Sequence, residues 1–449
     1  MRCLNKNTIQ ISCYFVFSTL ILFLGFFTNF WNVADENWFH FQNYDMESFI
    51  IGRIVKSNQD GIFSSGGLTG IGSPVSTLPE FNDISFEFQR QAYFNGLNFE
   101  SYSPYYSQIG GQGILFSIFD QIISLTPQIK FRVFQAFTSL LTATTITMIV
   151  LWFYFEFGFL VSLFVLVSTI LSPWLVVFGG KLWWSTWSFC LPMVVSMYYL
   201  KNRNPVIHNS ISFGAIIFIV VFVKCIFTGY EYITTTLIMM MVPFVYYSIL
   251  KRLNSREFVI GFLIAIVSSC LAIFLSFIIL SYQIGSVTNN FFDGIDHISY
   301  SFRKRTYGEP NNFLPEYANG LKSNTDEVLM NYLTGGFFGP TEFLSTQNSF
   351  ITFFATKTSY LFLIFLFGIV SVFLYAFRKI FPDKEKSRAC FALVLSLWFS
   401  LLAPLSWFVI FKGHSFIHLH MNYIVWQMPF TLFGFAVCGH VMQPFFTKR

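Results

Sequence analysis

The sequence predicts an all-α polytopic membrane protein of about ten transmembrane helices, and three observations carry that reading. Of 449 residues, 54% are hydrophobic and only 11% are charged, whereas soluble domains carry about 25% charged residues. Apolar stretches of the roughly 20 residues needed to cross a bilayer recur along the chain. Lys and Arg gather in alternate short loops, as the positive-inside rule requires. A net charge of +5 spread in this way offers no basic face for nucleic acid. The seven cysteines lie in apolar stretches or their short flanks, with no close pair, which argues against a disulfide framework and against a zinc site.

The spans are expected near residues 9–30, 131–154, 158–178, 182–200, 207–228, 233–250, 258–281, 359–377, 389–411 and 424–442. Arg2 and Lys6 precede the first, but the apolar run from Ile9 to Phe30 is too long for a signal-peptide core and lacks a small-residue cleavage pattern, so it reads as an uncleaved helix. With the N-terminus in the cytoplasm, the inner loops collect Lys201, Arg203, Lys251, Arg252, Arg256 and the cluster from Arg378 to Arg388. They hold four acids, Glu156, Glu257, Asp383 and Glu385, leaving 18 of the 22 carboxylates on the outer side. Two long loops, 31–130 and 282–358, are also placed outside, within a single membrane domain of residues 1–449 that shows no internal repeat.

Both loops carry helical patterns. From Asn43 to Asn58, Met46, Phe49, Ile50 and Ile54 fall at helical spacing opposite Asp45, Ser48, Arg53 and Lys56, the pattern of a helix lying in the interface. Gly113 to Leu125 repeats it, with Leu115, Ile118, Phe119 and Ile122 beside polar Asp120 and Gln121. The Gly-, Ser-, Tyr- and Asn-rich stretch between them suits irregular loop. In the second loop Thr325-Asp326-Glu327 opens a short helix that Gly335-Gly336 closes.

In a chain this poor in charge, ionisable residues at membrane edges stand out. Asp35-Glu36 follows the first span; adjacent carboxylates repel, and one can keep a raised pKa and serve as a base, the alternative being a solvated loop start. Asp45 and Glu47 follow ten residues on. Lys412-Gly413-His414, with His418, His420 and Asn422, offers a phosphate cradle or a snorkelling helix end; no nearby carboxylate completes a metal site. Lys181 precedes Trp183-Trp184, which read as belt anchors, with Lys181 able to meet an anionic headgroup. Lys224 with Tyr230 and Glu231 marks a cavity or a structural Lys–Glu pair. Arg303-Lys304-Arg305 reads as a solvated run or a phosphate contact, and Arg53 at the membrane edge is similar.

This arrangement resembles the GT-C glycosyltransferase superfamily: a first span ending in Asp35-Glu36, a long outer loop with interfacial helices, short paired middle spans and a second outer loop. The runs Tyr44-Asp45-Met46-Glu47 and Lys412-Gly413-His414 resemble its bacterial, cell-surface polysaccharide branch. The resemblance implies a GT-C-like fold in a bacterial cytoplasmic membrane. It also implies transfer of a sugar, with inversion, from a polyprenyl-phosphate carrier to a glycan or lipid-linked glycan acceptor on the extracytoplasmic face. It casts Asp35 first and Glu36 second as the base. Lys412, His414, Arg53 and Lys181 become contacts to the donor phosphate, and Asp45, Glu47, Tyr230 or Glu231 the acceptor contact or second acid. Many members place a second acid between the third and fourth spans, where this chain has Lys181, so a divalent metal is not indicated. The alternatives are a transporter or lipid flippase, which should show a two-half repeat and midplane charges, and a membrane polysaccharide polymerase.

Overall fold

The computed structural model describes residues 6–36, 38–40, 46–73, 86–202, 210–338, 358–377 and 384–446. In hydrocarbon every backbone N–H and C=O needs a partner within the protein, which makes long apolar segments helical. Helix α1 (Lys6–Thr28) ends at Asn29, whose left-handed backbone (φ 50°) stops the helix and whose side-chain oxygen accepts from the amides of Val33 and Ala34. After it come α2 (Glu47–Asp60), β1 (Gly70–Ser73), α3 (Phe86–Asn95), β2 (Ser101–Pro104) and α4 (Gly111–Ile122). Strands β1 and β2 pair antiparallel.

The long α5 (Pro127–Phe157) starts with proline at its first position and stops at Gly158 (φ 94°). Then α6 (Phe159–Ile170) and α7 (Pro173–Gly179) meet at a 70° bend, where Pro173 opens the second helix and the Ser172 hydroxyl accepts from the Leu175 amide. The chain continues through α8 (Thr186–Asn202), α9 (Ser210–Thr228), α10 (Ile233–Leu250) and α11 (Ser255–Thr288), the last opened by a reciprocal Asn254–Glu257 capping box. Helices α12 (Phe291–Arg305), α13 (Pro315–Lys322) and α14 (Thr325–Thr334) follow. Then come α15 (Tyr360–Phe377), α16 (Lys384–Ser400), α17 (Leu402–Ile410), α18 (Lys412–Ile417), α19 (Leu419–Asn422) and α20 (Phe430–Phe446).

Six helices among the described residues are long and apolar enough to cross a membrane, and eight if the two bent pairs each count as one span. The expected span at 158–178 is the bent α6–α7 pair, and that at 424–442 is the second pair, bent by 42°. The span expected at 182–200 is a 17-residue helix, and that at 359–377 is a short apolar helix. The chain is therefore an α-helical integral membrane protein, in which several segments expected as plain spans are broken or short.

The helix core is strongly aromatic, centred on buried Trp152, Trp174, Trp407 and Trp426. At one end of the bundle Glu156 ties three helices together: Lys201 lies 2.9 Å from it, and the Tyr246 and Tyr247 hydroxyls each donate to it at 3.0 Å. The opposite end carries both long loops. There α2 packs against α3, α4 and β1, which corrects two expectations. Arg53 and Ser48, read as a wetted face, are fully buried, and in α4 the supposedly outer Asp120 is 5% exposed while Ile122 is 71% exposed. Asp120 points inward because Tyr93 (2.5 Å) and Asn58 (2.8 Å) donate to it and Lys130 lies 3.1 Å away. The irregular loop expected between the helices is in part ordered, holding the β1–β2 hairpin and α3. The helix from Thr325 closing at Gly335 stands as expected.

Candidate functional site

The turn between α9 and α10 is built to present a carboxylate. Gly229 adopts φ 56° and a Cβ there would meet the Gln108 side chain at 2.6 Å, so only glycine fits the turn. The buried Lys224 ammonium donates to the Gly229 carbonyl (2.7 Å) and the Glu231 carbonyl (2.6 Å). With Lys224 spent on backbone, the side-chain Lys224–Glu231 pair, one of the two alternatives read from the sequence, does not close to ion-pair distance among the described residues. The Glu231 carboxylate instead meets Arg305, the last residue of α12, at 2.7 Å, each side chain being 13% exposed. The other end of the guanidinium donates to the Tyr105 hydroxyl at 3.4 Å. The second Glu231 oxygen is buried without a hydrogen-bond partner among the described residues and lies 3.8 Å from His414 Nε2.

These groups line a chamber of about 200 Å³, with Lys304, Tyr317, His418 and Trp183 completing its walls. Its electrostatics follow from burial. Burial pulls Arg305 down, but Glu231 and Tyr105 more than offset this, so the guanidinium stays charged. Burial and Arg305 push His414 well below the usual imidazole range, helped by His418 and Lys304. His418 falls to about 4 through burial and the neighbouring His420. The histidine rings, 4.5 Å apart, are therefore neutral at neutral pH, beside one paired carboxylate and two cations.

Arg305 also lines a second, apolar cavity of about 450 Å³ between α10, α11 and α12, walled by Tyr106, Tyr230, Ile233, Phe277, Ile298 and Phe302. One guanidinium thus stands where a greasy groove meets a polar chamber.

A third cavity, of about 630 Å³, lies across the Lys181–Trp184 turn, between the end of α1, Glu36, Phe39 and His40, and the start of α5. The turn sends Lys181 into this cavity and Trp183 and Trp184 into the chamber. Those tryptophans, expected as belt anchors, are 5% and 2% exposed and belong to the core.

The sequence candidates are distributed unevenly over this geometry. Glu231 and His414 come together in the chamber, and Tyr230 lines the apolar groove with its hydroxyl accepting from Ser276. Asp35 is half-buried and accepts from the Trp38 amide at 3.3 Å, capping a short turn. Glu36 is 83% exposed, lines the third cavity and lies 3.7 Å from His40. Asp45 lies outside the described residues.

Glu47 is fully buried, accepting from the Leu182 amide (2.9 Å) and Gln135 (3.3 Å). Burial pushes it up to about 7, against the pull of Lys181. Lys181 donates to the Phe39 carbonyl at 2.7 Å, and burial lowers its amine, opposed by Glu47. Arg53 donates to Ser57, Ser64, Leu68 and Gly61, clamping the loop after α2, and Lys412 donates to the carbonyls of Leu321 and Ser323. These two cations hold backbone in place and do not open onto the chamber.

Sequence reading underrated Arg305 and missed Tyr105. The only signal for Arg305 was the run Arg303-Lys304-Arg305 at the end of an amphipathic stretch. Among the described residues no group of three or more His, Cys, Asp and Glu side chains is placed to hold a metal ion. Comparison with family models, curated proteins and solved structures gives no match.

Proposed function

We propose that the chain is a membrane glycosyltransferase that takes a sugar from a lipid-phosphate carrier, and that the chamber around Glu231 and Arg305 is its active site. The observation that supports this reading is the position of Arg305, shared between an apolar groove and a chamber holding a carboxylate and two histidines. A polyprenyl tail suits the groove, and its phosphate then falls at the guanidinium. Arg305 has five N–H donors and uses two of them on Glu231 and Tyr105, so donors remain for a phosphate. In the reaction, the acceptor hydroxyl attacks the anomeric carbon and gives its proton to Glu231, while the carbon–oxygen bond to phosphate breaks. The departing phosphate keeps the electron pair, and Arg305 and Lys304 stabilise its charge. His414, held neutral 3.8 Å from Glu231, leaves that carboxylate as the acceptor of the proton. A single displacement inverts the sugar's configuration. In this scheme Glu231 takes the role that sequence reading gave to Asp35. The acceptor is proposed to be a glycan, and the chamber to face the extracytoplasmic side of a bacterial cytoplasmic membrane.

The test is transfer from a radiolabelled polyprenyl-phosphate sugar in proteoliposomes. Glu231→Gln should lose at least about a hundredfold in rate while retaining the carrier. Arg305→Gln should weaken carrier binding by about 10- to 150-fold, the loss of one charge-assisted contact of roughly 1.5–3 kcal/mol. If Glu231→Gln transfers normally and Asp35→Asn is dead, the base lies at the end of α1. If both stay active and neither variant loses the carrier, the transferase reading fails in favour of a transporter.

A further inference from the structure

Helix α5 carries Arg132, Gln135 and Ser139 at i, i+3 and i+7, a spacing that puts them on one face over about 10 Å. That face lines the 630 Å³ cavity beyond the Lys181 turn. Ser139 is fully buried, and its hydroxyl has no hydrogen-bond partner among the described residues. Gly180 keeps the space in front of it clear: a Cβ there would sit 2.7 Å from the Ser139 oxygen and 2.6 Å from the Phe26 carbonyl. Gln135 donates to Glu47 and faces Arg132 at 3.5 Å through its oxygen. Arg132 is exposed at the mouth; among the described residues that long contact is its one hydrogen bond from five donors, and its charge also acts on Glu47.

The charges of this cavity sort the ligand. Lys181 lines it and is offset by Glu47, which is buried and also feels the Arg132 charge. Glu36 is 83% exposed at the entrance, where water screens it, and it lies beside His40. The buried acceptors are occupied: both Glu47 oxygens receive hydrogen bonds, and the Gln135 oxygen faces Arg132. What remains without a hydrogen-bond partner among the described residues is most of the Arg132 guanidinium's N–H groups and the buried Ser139 hydroxyl, which can donate one bond of its own. A neutral sugar needs donors and acceptors in balance, whereas an oxyanion needs donors alone. The rim is apolar, with Phe27 lining it and Phe30, 60% exposed, at the end of membrane-length α1.

We infer that this cavity is a second ligand site, independent of the chamber around Arg305, that takes a phosphate- or diphosphate-bearing group along the Arg132–Ser139 face of α5. The group is either the headgroup of a lipid or a free phosphate.

The test uses the full chain purified in neutral detergent, titrated with inorganic pyrophosphate by calorimetry, and the same chain in phosphatidylcholine nanodiscs with and without phosphatidylglycerol, with retained lipid counted by native mass spectrometry. Arg132→Gln, at an exposed position and with an amide still able to donate toward the Gln135 oxygen, should weaken one pyrophosphate phase about tenfold or more. Ser139→Ala should weaken the same phase less, and Arg305→Gln should leave it in place. Loss of retained phosphatidylglycerol in Arg132→Gln, with pyrophosphate binding absent from the wild type, assigns the site to a lipid headgroup. If Arg132→Gln and Ser139→Ala change neither pyrophosphate affinity nor retained lipid, the inference is overturned. That result leaves the Arg305 reading untouched, since transfer is measured separately.

Discussion

Separating Glu47 from Lys181 gives two single variants whose stabilities should lean opposite ways with pH. The two side chains are 0% and 2% exposed, so neither charge is solvated by water. Lys181→Met leaves Glu47 alone in a site where burial already raises it to about 7 with Lys181 present. Its folded pKa then lies far above the unfolded value, the folded state binds more protons, and stability falls as pH rises above about 4.5. Glu47→Gln leaves a buried amine whose folded pKa lies below the unfolded value. The unfolded state binds more protons there, so stability rises with pH toward about 10. Each slope is at most about 1.4 kcal/mol per pH unit, and the total is bounded by the roughly 3–5 kcal/mol of breaking one side of a buried pair. The double variant Glu47→Gln/Lys181→Met should lose both slopes and lie within about 2 kcal/mol of the wild type. The assay is the fraction of monodisperse protein on size exclusion after heating, at pH 5 to 9. Parallel pH profiles for the two single variants would refute the reasoning, because they would mean that the two groups do not share one buried charge balance.

Two further outcomes follow from other buried groups. His418, held down to about 4 by burial and His420, must remain neutral in the fold, so stability should drop as pH falls from about 6.5 to 4, by on the order of 3 kcal/mol; His418→Gln should flatten that part of a thermal-stability profile, and an unchanged profile would place the acid sensitivity elsewhere. Asp120 gathers Tyr93, Asn58 and Lys130 from three segments, so Asp120→Asn should cost about 3 kcal/mol and Tyr93→Phe about half that, read as lowered melting temperatures; equal, negligible shifts would show that the network adds nothing to the first loop.

The membrane class was legible because a bilayer enforces apolar length in every span, and that constraint is written in composition. Helix ends were legible where the chemistry is local, as at Thr325 and Gly335, where the stop and start signals lie within a few residues. Helix faces in the first loop were misread because the residues that decide them are distant. Arg53 and Asp120 look like wetted positions until Ser64, Leu68, Tyr93 and Asn58 bring them partners from other segments. The site divides in the same way. Glu231 and His414 stood out as ionisable residues at membrane edges, but nothing near Glu231 in sequence announces Arg305. Of the run Arg303-Lys304-Arg305, only the fold turns its last member to the carboxylate. Asp35 was conspicuous for its position, and that same position makes it a helix-turn cap.

The ion pair at the centre of the chamber also sets an order of assembly. Glu231 leaves the ribosome 74 residues before Arg305, and Tyr105 leaves it 200 residues before the same guanidinium. Helices α9 and α10 must therefore enter the bilayer as a hairpin whose tip carboxylate has Lys224 near it but not yet its Arg305 partner. That carboxylate gains its Arg305 ion pair only when the segment after α11 has been made and folded back over the hairpin. A chain stopped after α11 would keep most of the long helices and the whole first loop, yet hold no chamber. Site formation in this protein is thus a late, long-range docking event, and the speed of that docking governs how long an unpaired acid waits at the membrane surface.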